Sequence, residues 1–423
     1  MFAACDRSTV IYSRNSKLIF SIVNTPDCTG MAPFHSNLFP DCLAMISERG
    51  FMIGAVDNIQ KIHIQSYPLG QSPRRICHSD LTGMYAVSVT KIEQGERGEQ
   101  TSDSLLFLDD GNMAELGFFE LDPLETGLSL HVSSCGMPGR QLIVLGTAYS
   151  IPEENDPTRG RILVFEMDSE RRPILVAEKE VKGAVFSIDS IAAGKLVTGI
   201  SSKVRLYRLV QRDDGTKSFD LQYECGHQGH FLSLYVKARK DYVLVGDLMR
   251  SVSLLEYKLA DGTLQEVSRD FNTNYMRAID IIDDNHFVGT EDKGNIFIVR
   301  RPVNPETDEE KGKLEMQTEY HLGDFINVFR RGCLNSQPQE MEAPHGSVGG
   351  GASGASVNQL GPESSLLFGT VNGMIGSLFT ISEETFHFFQ ALEKALKTVI
   401  TGAIICIFSH PSTHPHVYKQ RLF

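Results

Sequence analysis

One unit recurs along this chain: an apolar strand ending in glycine, a short polar turn, and a second apolar strand. It occurs as Phe51-Met52-Ile53-Gly54 followed by Ile59 to Ile64, as Leu142 to Gly146 with Ile162 to Phe165, and as Leu196 to Gly199 with Val204 to Tyr207. It returns as Tyr242 to Gly246 with Val252 to Tyr257, Phe287-Val288-Gly289 with Ile296 to Val299, and Leu366 to Gly369 with Met374 to Phe379. The glycines are 92, 53, 47, 43 and 80 residues apart, which reduces to one period of about 45 residues if one unit is degenerate and one carries an insertion. The degenerate unit is placed at Tyr85 to Ile92 and Leu105 to Leu108, two strands flanking the polar stretch Glu93 to Ser104. The insertion is Asn335 to Ser364, whose run Gly349-Gly350-Gly351-Ala352-Ser353-Gly354 has the composition of a flexible loop.

Four short strands per period of that length are what a propeller blade requires, because each blade is a small twisted antiparallel sheet. The remaining strands are supplied by Ala184 to Ile188, Leu221 to Tyr223, Leu232 to Val236 and Met276 to Ile282. Asp109-Asp110-Gly111, Asp213-Asp214-Gly215, Asp261-Gly262 and Lys293-Gly294 offer the positive φ angles of tight turns. The repeated glycine reads as structural, bending a strand end or admitting a neighbouring backbone. One segment reads as helix, Ser382 to Ile400. Ser382 is placed as its cap, Glu383 and Glu384 in its first turn, and Phe388, Leu392, Ala395, Leu396 and Val399 recur at helical spacing, so the helix is expected to buttress the propeller.

The formal net charge of −13, with basic residues scattered or in pairs such as Arg74-Arg75 and Arg330-Arg331, argues against direct binding to phosphate backbones. Eight cysteines without a Cys-x-x-Cys pair fit reduced thiols better than a disulfide framework. The first residues, Met1 to Arg7, lack the basic flank and apolar stretch expected of a signal peptide, and the longest apolar run, Val399 to Phe408, is too short to span a bilayer. A soluble protein of the nucleus and cytoplasm is expected.

Little in the chain suggests catalysis. Cys225, His227 and His230 offer sulfur and imidazole within six residues, a mixture that suits zinc, but no fourth ligand accompanies them and they read as an ordinary loop. Cys406, His410, His414 and His416 are interrupted by Pro411 and Pro415. Neither Gly-x-Ser-x-Gly nor a phosphate-binding Gly-x-x-x-x-Gly-Lys-Ser/Thr occurs, and Asp109-Asp110 and Asp283-Asp284 sit beside turns. No catalytic residue, metal ligand or cofactor site is assigned.

Several ordered blocks carry a family resemblance. They are Ser72-Pro73-Arg74-Arg75-Ile76-Cys77, Glu178 to Val185, Val245 to Val252, Arg269-Asp270-Phe271-Asn272, Phe325 to Phe329 and Leu367 to Gly376. From about residue 2 to residue 400 the chain resembles the carboxy-terminal part of the damage-specific DNA-binding protein 1 family, whose wider group includes the large subunit of the cleavage and polyadenylation specificity factor and subunit 3 of splicing factor 3B. The tail Thr401 to Phe423 departs from it. The repeat and the resemblance together imply an all-β chain: closing strands of a preceding propeller over residues 1–66, a seven-bladed β-propeller over 67–381 that is WD40-like without WD signatures, a helix over 382–400 opening a helical region, and a divergent tail over 401–423.

The resemblance implies a non-enzymatic adaptor linking a cullin-RING ubiquitin ligase to substrate-receptor proteins, in repair of damaged DNA and in protein turnover. The propeller that docks the cullin has almost no counterpart here, so cullin binding is not carried over, and contact with nucleic acid is at most indirect. The positions matching the receptor-binding cleft are Ala184, Phe186, Leu232, Leu234, Tyr235, Leu248, Arg250, Arg269, Tyr275, Phe325, Asn327 and Val371. Tyr275 stands where the family has tryptophan and Leu232 where it has methionine. Leu234, Leu248 and Val371 are equally readable as blade core, whereas Arg250 and Tyr275 are harder to explain by packing. A messenger-RNA splicing or 3′-end-processing scaffold is the alternative in the same class, and an enzyme with a site across the propeller mouth is the alternative outside it.

Overall fold

The computed structural model describes residues 2–3, 7–14, 17–26, 28–40, 42–47, 50–54, 66–95, 98–137, 139–152, 154–191, 194–211, 219–302, 305–332, 365–381 and 383–399. Two compact units divide the chain, one over Met1–Pro68 and one beginning at Leu69. Among its described residues the first holds two three-stranded antiparallel sheets: β1 (Phe2–Ala3), β2 (Arg7–Arg14) and β3 (Lys17–Pro26), then β4 (Cys28–Phe34), β5 (Cys42–Ser47) and β6 (Gly50–Gly54). Cys28, Leu43 and Met45 form its small core. Among the described residues Phe51–Gly54 is the third strand of its sheet, paired to β5, whereas Gly146, Gly199 and Gly246 lie on second strands. The partner expected at Ile59 to Ile64 lies outside the described residues.

The second unit contains six antiparallel sheets among its described residues. In chain order the first four are β7 (Ser72–Ser79), β8 (Met84–Gly95), β9 (Gly98–Asp109), β10 (Glu115–Glu120); β11 (Glu125–Ser133), β12 (Leu142–Tyr149), β13 (Gly160–Met167), β14 (Pro173–Val181); β15 (Val185–Ile191), β16 (Lys195–Ile200), β17 (Lys203–Gln211), β18 (Phe219–Gln228); and β19 (Ser233–Arg239), β20 (Tyr242–Asp247), β21 (Val252–Lys258), β22 (Thr263–Arg269). The fifth is β23 (Met276–Ile281), β24 (His286–Glu291), β25 (Asn295–Arg300) and, after the single-turn helix α1 (Asp308–Lys311), β26 (Glu315–His321). The sixth has three strands, β27 (Ile326–Arg331), β28 (Ser365–Thr370) and β29 (Ile375–Phe379), and helix α2 (Glu383–Val399) follows.

Each strand pairs with its neighbour in sequence, and the first strand of each sheet packs beside the first strand of the next. Hydrogen bonds pair Ser129 with Val185 (2.9 Å) and Ser133 with Ser190 (2.7 Å), then Ser187 with Val236 (3.1 Å) and Asp189 with Ala238 (3.0 Å), so β11, β15 and β19 run in the same direction, and Arg75 Nε donates to the Leu128 carbonyl (2.7 Å) where β7 meets β11. The apolar clusters lie between consecutive sheets. Phe107 and Leu105 meet Phe165 and Leu163, Val144 and Ile162 meet Val185 and Leu196, and Leu254 meets Phe287 and Phe297. A middle strand is thus covered on both faces, which is why Leu142 to Ala148 is one unbroken buried run rather than an alternation.

At three of its positions the recurring glycine serves this packing. A Cβ at Gly146 would strike Val185, one at Gly199 the Ser233 carbonyl and Val236, and one at Gly246 would crowd Ile279, each belonging to the first strand of the next sheet. Gly369, in the last sheet, meets nothing within 4 Å. The degenerate unit is fully paired: β8 and β9 stay in register from Met84 opposite Asp109 to Gly95 opposite Gly98, so the polar stretch from Glu93 is an extension of the hairpin and not a loop. Met113, rather than Gly111, takes the left-handed conformation at that sheet's next turn. Among the side chains of α2 that are described, Phe386 is buried, while Phe388 and Leu392 of the expected packing stripe are exposed. Leu396 of the same stripe is half-buried. Ser382, the insertion 335–364 and the tail 401–423 lie outside the described residues.

Candidate partner-binding site

All six first strands begin with the same irregularity. One residue is skipped in the pairing to the second strand: Arg74 in β7, Leu128 in β11, Phe186 in β15, Leu234 in β19, Arg277 in β23 and Asn327 in β27. A bulge leaves its extra residue unpaired and re-aims its side chain. None of the six is buried. Because the first strands run in the same direction, all six stand at the same end of the sheets, called here the bulge face, together with the turns joining second to third strands.

Every residue expected from the family resemblance lies on this face or at its margin. Phe186, Leu234 and Asn327 are bulge residues. Leu232 and Leu248 are tied together by the Leu248 amide donating to the Leu232 carbonyl (3.0 Å), and Phe325 and Val371 by the Val371 amide donating to the Phe325 carbonyl (2.9 Å). The Tyr275 carbonyl accepts from the Asp292 amide (3.0 Å). Arg250 sits in a turn built by the buried Asp247, whose Oδ1 accepts the amides of Met249 and Arg250 and whose Oδ2 accepts that of Phe231. Ser251, at φ 56°, completes the turn and donates from Oγ to the buried Asp270 (2.6 Å). The turn is therefore rigid while the Arg250 guanidinium is exposed.

Burial corrects one assignment. Ala184 is wholly buried, its amide accepted by Ser201 Oγ and its carbonyl accepting from the Ser201 amide, so it supports the face without presenting a side chain. Leu234 and Leu248 are half-buried and Val371 is 59% exposed, which places none of them in the blade core. Tyr275 is 45% and Phe325 41% exposed, and Phe231 and Phe271 are exposed as well. The Arg277 guanidinium lies 5.5 Å from the centre of the Phe325 ring, and that of Arg269 lies 4.4 Å from the Phe271 ring. Aromatic and apolar surface bordered by fixed cations can desolvate an apolar face of a partner and orient it by hydrogen bonds. Arg74, Leu128 and Arg277 were missed by sequence. Aligning the sheets on the residue two places later, which is Ile188, Val236, Ile279 and Phe329 in the buried cases, brings all six bulge positions into one column.

Three places beyond the bulge residues the first strands carry Cys77, His131, Asp189, Lys237, Asp280 and Arg330. Burial pushes the Cys77 thiol up to about 12 and lowers His131, while Asp280 is held above the usual carboxylate range by burial despite Lys237 nearby. Desolvation likewise raises Tyr235. His131 Nε2 is 2.9 Å from Ser190 Oγ and 3.6 Å from Asp189 Oδ1. Cys77 is thus kept from being a thiolate nucleophile.

Among the described residues no group of three or more histidine, cysteine or acidic side chains is arranged to hold a metal ion. Cys225, His227 and Gln228 are part of β18 and not of a loop. His227 and His230 both approach Glu266 Oε2 at 3.6 Å, but Arg269 Nη1 occupies the remaining side, 2.9 Å from His230 Nε2. The tail candidates Cys406, His410, His414 and His416 lie outside the described residues. Asp109 and Asp283 accept turn amides, from Asn112 and from Asn285 and His286. No described helix is long and apolar enough to cross a membrane.

Consecutive antiparallel sheets with aligned first strands and one bulged, side-chain-rich face define a propeller-type repeat protein whose distinguishing surface is suited to holding a partner. Residues 103–405 match the family model described as CPSF A subunit region, and the chain belongs to that family. It is 42% identical over 402 residues to DNA damage-binding protein 1a of Arabidopsis thaliana, covering 95% of this chain and 35% of that protein. It is equally similar to DNA damage-binding protein 1 of Solanum lycopersicum, and 40% identical over the same length to that of Oryza sativa subsp. japonica. The chain thus spans 35% of the length of these curated relatives.

Proposed function

We propose that this chain is a non-enzymatic docking scaffold whose bulge face receives a helical segment of a substrate-receptor protein, as part of a cullin-RING ubiquitin ligase adaptor acting on damaged DNA and protein turnover in the nucleus and cytoplasm. The observation that carries this reading is the repeated bulge, which sets six unburied side chains at one end of consecutive sheets beside exposed Tyr275, Phe325 and Val371. The names of the relatives support the damage-related setting.

We further propose that the sheets close into seven blades. Among the described residues the sixth sheet has three strands where the other five have four, its Gly369 has open space where Gly146, Gly199 and Gly246 touch a following sheet, and Ile375 and Phe379 are exposed on its last strand. A further blade would cover them. The purified chain mixed with substrate receptors and with the cullin, then run on size-exclusion chromatography, tests the docking reading. Co-elution with receptors and not with the cullin is expected; a monodisperse chain that binds no receptor would overturn it.

A further inference from the structure

We propose that Arg269 is a proton-gated docking residue, held back by His230 and released when His230 takes up a proton. Arg269 Nη1–H donates to His230 Nε2 at 2.9 Å, a contact that exists only while that nitrogen keeps its lone pair. Glu266 Oε2 lies 3.6 Å from the Nε2 atoms of both His230 and His227, and Glu266 Oε1 is 3.9 Å from Arg269 Nε. One carboxylate is shared by three potential cations. A proton arriving at His230 Nε2 removes the acceptor of Arg269, adds a positive charge beside its guanidinium, and turns His230 into a second donor for Glu266. The neighbouring His227 first, and then the charges of His230 and Arg269, hold Glu266 below the usual carboxylate range, so the anion that receives the switched histidine is present throughout.

Arg269 has somewhere to go. Its side chain lies over Phe271 and borders an open cavity of about 590 Å³ lined by Glu266, Val267, Phe271, Glu309, Gly312 and Lys313. Its backbone does not move with it: the Arg269 amide donates to the Gly312 carbonyl (3.0 Å), and its carbonyl accepts from the Leu314 amide (2.9 Å). The charged groups facing the pair are Glu266 from β22, His227 from β18, and Glu309 and Lys313 from the segment carrying α1. Arg205 of β17 is turned to Tyr223, 5.9 Å from its ring. The released guanidinium would present its donors to a carboxylate or carbonyl of the partner.

The effect on docking rests on the bulge face being a partner surface; the switch itself does not, and it is read without a partner. The full chain is labelled with phenylglyoxal from about pH 8 to about pH 5.5, spanning the ordinary imidazole range, and modification of Arg269 is quantified by peptide mass spectrometry relative to exposed Arg250. The ratio of Arg269 to Arg250 labelling is expected to rise at least threefold on acidification. In His230→Gln, whose amide oxygen accepts from Arg269 at every pH, the ratio is expected to stay flat, with His227→Gln retaining most of the rise and circular dichroism confirming the fold of each. A flat ratio in the unmodified chain, or an undiminished rise in His230→Gln, would overturn the proposal.

Discussion

The middle strands and the first strands of the second unit obey different rules. Strands such as β12 and β13 are buried between two neighbouring sheets, pair with each other without a register shift and are mostly apolar. The first strands carry a bulge at a fixed place, and there the side chains diverge into arginine, leucine, phenylalanine and asparagine. Packing from both sides dictates the chemistry of the first group. An unpaired, outward residue is free of that demand, so it is where partner specificity can be built without disturbing the repeat.

The strongest way to break the comparison is inside the sheets. Phe165 is 1% exposed and meets the rings of Phe107 at 5.7 Å and Phe119 at 5.0 Å, so Phe165→Ala is expected to cost about 3–5 kcal/mol in urea unfolding. Next comes Glu125→Ala. Glu125 pairs with buried Arg161 through two hydrogen bonds and accepts from Thr147 Oγ1, and its removal leaves that guanidinium only Asp122 and Glu178 on the exposed side. A loss of about 3 kcal/mol by the same measurement is expected.

A smaller and pH-dependent effect belongs to Asp280. Its carboxyl is raised by burial above the ordinary 3.8, so the folded state holds this proton more tightly than the unfolded state. The stabilisation is complete below the unfolded value and is lost as pH climbs through the folded one. Asp280→Asn removes this dependence: thermal scans should show the variant gaining on the native chain as pH rises from about 4 towards neutrality, and parallel curves would refute the assignment. The smallest effect is expected at Gly369→Ala, within about 0.5 kcal/mol because the added methyl meets open space, whereas Gly199→Ala should cost clearly more through the Ser233 carbonyl.

The repeat was legible because two-sided burial writes itself as apolar runs ending in a small residue. Its phase was less legible. Phe51–Gly54 satisfies the same local pattern yet is the third described strand of its sheet and not the second, and the hairpin of β8 and β9 extends into the polar stretch that separates the two apolar runs. Bulges leave no compositional mark, since Arg74, Phe186 and Asn327 share a register and nothing else. The candidate surface was reached through family resemblance, which also placed buried Ala184 among its contacts. Arg250 and Tyr275 were favoured as surface residues because a buried guanidinium or phenol needs a partner, a preference and not a rule here, since Tyr207 and Tyr257 pack in the clusters between sheets.

The most direct test of the account is the double variant Arg250→Ala, Tyr275→Ala. Its melting temperature should match the native chain, because both side chains are exposed and the Asp247 turn is made by backbone amides. Isothermal titration with a substrate receptor should show binding weakened by at least about thirtyfold, or about 2 kcal/mol. A folded double variant that binds the receptor as tightly as the native chain would contradict the assignment of the bulge face as the docking surface.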